Sequence, residues 1–363
     1  MSDSLPAQSI WFDDAKDVVC IIDQTCLPHR FSVLELASLD DACDAIASMQ
    51  VRGAPLIGVT AAYGVYLALR ADPGALEPAL ARLQATRPTA VNLAWALARC
   101  RQHLAPLAAT ARPAAALALA RAMEGEDSDT CAAIGEHGAA LLAELWQRKA
   151  ATGERLNVLT HCNAGALATV AWGTALSCVY KAADRGLPVH VWVDETRPRN
   201  QGAALTCWEL ARYNIPHTLV VDNAGGHLMQ QGLVDVCVVG SDRTAINGDV
   251  CNKIGTYLKA LAAHDNGLPF YVALPLSSID FALSSGDAIP IEERAASEVT
   301  HVPGVTTDGM PGQVRVAPDG VAVSNPGFDV TPARLVTGLI TERGVFAASR
   351  DALAPLAATQ GGD

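Results

Sequence analysis

The chain has 363 residues, half of them hydrophobic, enough for one large domain or two ordinary ones with a sizeable core. Its 38 acidic against 26 basic residues give a formal charge of −12, which speaks against a general nucleic-acid or membrane-surface binder, since either needs a basic face. An anionic ligand would have to be held by a local cluster of donors.

Residues 1–36 read as a short β-rich lead-in, with Val18–Ile22 as the clearest strand. The opening MSDSLPAQSIWFDDAK has no basic n-region, so no signal peptide is expected. No run reads as approaching the roughly 18 apolar residues of a membrane span. From about 39 to 149 the spacing predicts helices over 39–50, 55–70, 76–85, 90–104, 113–124 and 128–149. Breaks fall at Gly53, Asp72-Pro73-Gly74, Pro88 and near Pro113. Near 153 the rhythm changes. Apolar runs at Leu156–Leu159, Val189–Val193, His217–Val221, Val234–Val239 and Phe270–Leu274 alternate with helix-length segments at 165–184, 200–213, 224–231 and 253–263. Such alternation predicts parallel strands with helices on both faces. The expected fold class is α/β. A mostly helical N-terminal domain (1–150), with short strands at its start, precedes a Rossmann-like parallel-sheet domain (151–363).

The ten cysteines include no C-x-x-C pair and no zinc-site spacing. Reduced thiols in a cytoplasmic protein, and no metal, are the expectation.

Polar residues gather behind the predicted strands. Thr160-His161-Cys162-Asn163 follows the first, DETRPRNQG (Asp194 to Gly202) the second and Asp222-Asn223 the third. GSDRTAINGDVCNK (Gly240 to Lys253) follows the fourth and Pro275-Leu276-Ser277-Ser278 the fifth. In an open parallel sheet the carboxyl ends of the strands line one crevice, where ligands bind. No G-x-G-x-x-G follows a strand, and Walker and G-x-S-x-G motifs are absent, so dinucleotide, ATP and serine-hydrolase readings are weak. One cysteine, carboxylates, amides, arginines and a lysine suit proton transfer on a small phosphorylated compound. A helix opening after Asn163-Ala164-Gly165 could donate backbone N–H groups to an anion, and Asn252-Lys253 offers a second such place. Arg52 beside Gly53 could bring a guanidinium and an amide to one phosphate, and Arg87 is a further candidate. Taken alone, Cys162 could be a nucleophile, a ligand, an acid–base group or a packing residue. His161 reads as a hydrogen-bonded structural residue. Asp249 could cap a helix entered at Asn252 or orient Lys253.

Eight motifs, in order, resemble the methylthioribose-1-phosphate isomerase family. They are DQTCLP (23–28), VRGAPLIGVTAAYG (51–64), RPTAVNL (87–93), THCNAGALAT (160–169), ETRPRNQGAALTCWEL (195–210), GSDRTAINGDVCNKIGTY (240–257), IPIEER (289–294) and NPGFDVTPARLVTGLITERGV (325–345). The resemblance implies a homodimer acting on a small sugar phosphate, with no organic cofactor and no nucleic-acid or membrane partner. It places the catalytic pair on Cys162 and Asp242, and the phosphate and sugar contacts on Arg52, Gly53, Ala54, Arg87, Gln201, Asn252 and Lys253. Ala204, Cys207 and Cys251 depart from the family pattern at positions read as helix faces. The implied reaction converts 5-methylthioribose 1-phosphate to 5-methylthioribulose 1-phosphate. Asp242, kept protonated by an apolar pocket, would open the ring, and Cys162 would help move hydrogen from C2 to C1. Ribose-1,5-bisphosphate isomerase and a non-catalytic regulatory subunit of a guanine-nucleotide exchange factor are related alternatives.

Overall fold

The computed structural model describes residues 8–88, 90–149 and 154–359. The domain division expected at 150/151 lies outside the described residues. Ile10–Asp13 (β1), Val18–Ile22 (β2) and Val33–Leu36 (β3) form an antiparallel sheet. Five helices follow: Leu39–Ala47 (α1), Ala54–Ala71 (α2), Leu76–Thr86 (α3), Val91–Leu104 (α4) and Arg112–Lys149 (α5). Ser38 starts α1 with a capping box, exchanging hydrogen bonds with Asp41. α2 is buried without a break from Leu56 to Leu69. It is long and apolar enough to match a membrane span, which the sequence reading did not register, but 78% of it is inside the protein. A helix apolar on all sides is here the centre of the N-terminal core.

The helices expected at 113–124 and 128–149 are one element. The gap expected between them, at 125–127, does not occur, because the halves of α5 are anchored in different cores. Ala116, Leu119, Ala120 and Met123 pack with the N-terminal helices. Ile134, Ala139 and Leu142 pack against the main sheet. A mid-helix glycine costs only about 1 kcal/mol, which such burial outweighs.

The strands after α5 are Leu156–Thr160 (β4), Val189–Asp194 (β5), His217–Val220 (β6), Val236–Val239 (β7), Arg243–Ala245 (β8), Val250–Lys253 (β9) and Phe270–Ala273 (β10). Then come Ile279–Asp280 (β11), His301–Val305 (β12), Pro311–Arg315 (β13), Phe328–Thr331 (β14), Gly338–Thr341 (β15) and Gly344–Phe346 (β16). Between and after them lie the helices Ala175–Asp184 (α6), Cys207–Arg212 (α7), Ala224–Gln230 (α8), Thr256–Asp265 (α9), Ser297–Thr300 (α10) and Arg350–Leu353 (α11). The main sheet runs β16-β15-β10-β7-β4-β5-β6 and is parallel except for the β15–β16 edge. Its order reverses between β4 and β7. Alternate residues face opposite cores. Val236 and Val238 meet α6 with Val158 and Val191, while Cys237 and Val239 meet Met229 of α8 and Ala260 of α9. Both faces are covered, which is why these strands read as continuous apolar runs. A second sheet, β11-β8-β9-β14, rises from the end of β7.

Two sequence expectations are corrected by the structure. No helix spans 165–184: Ala166–Ala168 is a single 3-10 turn and α6 starts only at Ala175. No helix opens at 253: Asn252 and Lys253 end β9, and α9 starts at Thr256 after Gly255. The strands and turns beyond 274 carried no assignment, because their runs are short and belong to mixed or hairpin pairings.

Candidate active site

The reversal between β4 and β7 opens a crevice at the carboxyl ends of those two strands, where parallel sheets bind ligands. Cys162 follows β4 and Asp242 follows β7. A cavity of about 640 Å³, its open mouth included, is lined there by Arg52, Gly53, Ala54, Arg87, Cys162, Gln201, Asp242, Asn252 and Lys253. The structure thus brings the nine site residues that the resemblance implies around one cavity.

Cys162 sits on a backbone held from three directions. Its φ is +65°, a left-handed conformation uncommon for a residue with a side chain. Its N–H donates to Thr196 Oγ1 (2.8 Å), and its carbonyl accepts from Thr206 Oγ1 (2.7 Å). Its thiol lies 3.5 Å from Gln201 Oε1. All three partners come from the stretch after β5. Gly202–Thr206 is a π-helical turn leading into α7. Such turns insert a residue and re-aim the side chains that follow, and they recur at functional sites. His161, one residue earlier, faces Asp194 Oδ2 through Nδ1 and the Ile254 carbonyl through Nε2, both at 2.8 Å. It ties the end of β4 to the end of β9, the structural part expected of it.

Arg52 is buried at the start of α2. Nε donates to Gln24 Oε1 (3.1 Å), and the terminal nitrogens donate to the carbonyl and Oδ1 of Asn163. All three acceptors are neutral. Gly53 has φ +98°, and a Cβ there would collide with the backbone of Ala168, so only glycine lets α2 begin against this loop. The helix start in the cavity wall is therefore that of α2. The one expected at Gly165 does not exist, and the N–H groups of Ala166 and Leu167 are taken by Glu209.

Lys253 is buried, its ammonium 4.3 Å from the ring centre of Phe328, its cross-strand partner on β14. Asn252 donates from Nδ2 to Thr256 Oγ1 (3.1 Å). Among the described residues neither Arg52 nor Lys253 is in an ion pair, unlike Arg87, which reaches Glu292 at 3.4 Å. Asp242 is anchored through its N–H to the Cys251 carbonyl (3.0 Å), and its carboxyl has no hydrogen-bond partner among the described residues. Burial pushes that carboxyl up, against the pull of Lys253, Arg87 and Arg52. Burial likewise raises the Cys162 thiol, with Lys253 and Arg52 opposing, and lowers Lys253, with Cys162 and Asp242 opposing.

Of the five strand-end clusters, that at Asp222-Asn223 does not reach the cavity wall. Asp222 accepts the N–H groups of Thr196 and Arg197 and so supports the neighbouring loop. The fifth contributes Pro275 to the wall, while Ser277 and Ser278 bond Asn92 of α4. Asp249 does not cap a helix at Asn252, where none starts, and has no hydrogen bond or ion pair to Lys253 among the described residues. It accepts from Asn247 and from the Gly286 and Ala333 N–H groups. Cys251 lies on β9 rather than on a helix face. His161, Asp194 and Asp222 could offer ligand atoms to one cation, but Lys259 lies 3.3 Å from Asp194 and donates to the Asp222 carbonyl, so the protein's own ammonium occupies that place. Sequence reasoning passed over Gln24, Thr196, Thr206 and Glu209. All four stand inside quoted motifs, but their tasks depend on the π turn and on contacts that spacing does not show.

The Initiation factor 2 subunit family matches residues 50–348. A relative from Methylobacterium nodulans named methylthioribose-1-phosphate isomerase is 60% identical over 354 residues, covering 97% of this chain and 96% of that one. The crystal structure of 5-methylthioribose 1-phosphate isomerase from Pyrococcus horikoshii OT3 superposes with a TM-score of 0.83 at 38% identity, over 98% and 97% of the two chains. That of the translation initiation factor eIF-2B subunit delta from A. fulgidus superposes with a TM-score of 0.80, also at 38% identity, over 97% and 99%.

Proposed function

The chain belongs to the Initiation factor 2 subunit family, and we propose that it works there as a methylthioribose-1-phosphate isomerase, turning 5-methylthioribose 1-phosphate into 5-methylthioribulose 1-phosphate in methionine salvage. The observation that carries this reading is a pair of buried cations, Arg52 and Lys253, that face one cavity and have no ion pair among the described residues. Buried charge is costly unless compensated, and a sugar phosphate brings the missing anion. The start of α2 at Ala54 adds backbone N–H groups to the same wall.

The substrate's phosphate sits on the anomeric carbon, so the sugar has no free aldehyde until its ring opens. Asp242, pushed toward its protonated form, donates to the ring oxygen as the bond from C1 to that oxygen breaks. Hydrogen leaves C2 and arrives at C1, and the C2 hydroxyl loses its proton to become the ketone. The C2 side is assigned to Cys162, and its thiol, 3.5 Å from Gln201 Oε1 in the cavity wall, supports that reading. Atoms balance whether the hydrogen moves as a hydride or as a proton through an enediol. Solvent deuterium found at C1 of the product would exclude a pure hydride shift.

A regulatory subunit of an exchange factor has no use for an enclosed pair of this kind. A homodimer and a cytoplasmic location belong to the same proposal, supported by the half-exposed Leu219 and Val221 at the β6 edge and by ten unpaired thiols. So does the description of the sheet as Rossmann-like, which its order supports. Turnover on two purified substrates tests the function. The proposal expects ketose from 5-methylthioribose 1-phosphate, and faster turnover of ribose 1,5-bisphosphate would overturn it.

A further inference from the structure

We infer that Glu209, at the third position of α7, is a positioning residue for Arg52 and acts through Asn163. The inference rests on the reading of Arg52 as a holder of the substrate phosphate. Glu209 is 2% exposed and lies one residue removed from the cavity wall. Its Oε1 accepts from Asn163 Nδ2 (2.8 Å) and the Leu167 N–H (3.2 Å). Its Oε2 accepts from the Ala166 N–H (2.7 Å) and the Tyr180 hydroxyl (3.0 Å). A carboxylate has about four lone-pair sites, and here each meets a donor. Burial pushes this carboxyl up, while the donors favour its ionised form. Gly165 is required for the approach, since a Cβ there would collide with the Glu209 carboxyl.

The consequence falls on the Asn163 amide, which has two ends and could point either one at Arg52. An ionised Glu209 only accepts, so Nδ2 must face it. Nδ2 also donates to Thr206 Oγ1 (3.1 Å), whose own proton goes to the Cys162 carbonyl. That leaves Oδ1 for Arg52, where Oδ1 and the Asn163 carbonyl together grip the two terminal nitrogens of the guanidinium. With Nε on Gln24, three of the five N–H groups are fixed, and two have no partner among the described residues and can meet a ligand. Glu209 also supplies a negative charge to the surroundings of the buried Arg52. A neutral residue at 209 would leave the amide undirected and the guanidinium free to turn.

The test is Glu209→Gln, nearly isosteric but carrying a donor that must oppose an N–H. Loss of an oriented charged hydrogen bond predicts a KM for 5-methylthioribose 1-phosphate raised about 10- to 100-fold, with kcat within about threefold of the parent. In an Arg52→Lys background the same substitution should change KM by less than about twofold, since the chain of contacts is already cut. Tyr180→Phe removes a donor from Glu209 without touching Asn163, so it should lower Tm and leave KM unchanged. Affinity for inorganic phosphate, read by titration calorimetry, gives the same comparison without turnover. If Glu209→Gln yields no folded protein, Asn163→Ala cuts the chain one step nearer to Arg52 and should raise KM likewise. Unchanged KM and phosphate affinity, a loss confined to kcat and Tm, or an additive effect with Arg52→Lys would overturn the inference. A parent protein that does not turn over the sugar phosphate would instead sink the proposed function, and the phosphate titration would still decide on Glu209.

Discussion

The loop after β4 and the hairpin after β7 meet across one cavity and are built in opposite ways. Around Cys162 the backbone N–H, the carbonyl and the thiol each have a partner from the stretch after β5. Around Asp242 only the backbone is anchored, and the carboxyl has no hydrogen bond among the described residues. The difference fits two tasks. A group that meets hydrogen at C2 needs a fixed place against the sugar, since small displacements cost much in rate. A group that must hold a proton near neutral pH needs an environment that penalises its charge, and hydrogen-bond donors would remove that penalty.

Substitutions can break or sharpen this contrast. The largest effects are expected at the pair itself. Cys162→Ser and Asp242→Asn should each lower kcat by about 10²- to 10⁴-fold with no loss of Tm relative to the parent, checked by steady-state turnover and thermal unfolding. Near-parent turnover in either variant would remove that residue from the chemistry. Lys253→Met should come next, raising KM by about 10- to 100-fold through lost phosphate attraction, with a smaller change in kcat. The contrast between the loops is tested most sharply by their supports. Thr206→Val strips the Cys162 carbonyl of its donor and should lower kcat by about tenfold, whereas Ser241→Ala beside Asp242 should stay within about twofold. Equal losses at both positions would mean that the two loops are not built differently.

The smallest effect is on stability. The folded pKa of Asp242 lies above its unfolded value. Its contribution to stability is thus fully present below the unfolded pKa and is lost as pH rises through the folded one. Asp242→Asn does not titrate, so it should match the parent Tm in acid and exceed it increasingly as pH rises. A Tm difference independent of pH would show that the carboxyl is not penalised by its site.

How far the sequence showed this can be followed residue by residue. Strand-end placement was legible because a parallel sheet buried on both faces gathers its polar residues mainly at the strand ends, and Cys162, Gln201 and Asp242 stood there. The path of 163–174 was not legible. Its Gly/Ala-rich composition reads as helix, yet Gly165 and Gly53 are small because Glu209 and Ala168 need the space. Lys253 looked like a first-turn lysine because Gly255, with φ +101°, hides the change from strand to helix. The length of α5 was hidden too, because its polar middle is sustained by cores on either side of it.

The most direct test of the central claim is the pH dependence of kcat/KM for 5-methylthioribose 1-phosphate, measured for the parent and for Asp242→Asn. If Asp242 is the acid, the parent rate should fall tenfold per pH unit on the alkaline side of a carboxyl pKa lying above the usual value of about 3.9. The residual rate of Asp242→Asn should lack that limb. An Asp242→Asn profile keeping the same alkaline limb would show that another group holds the proton and would contradict the account.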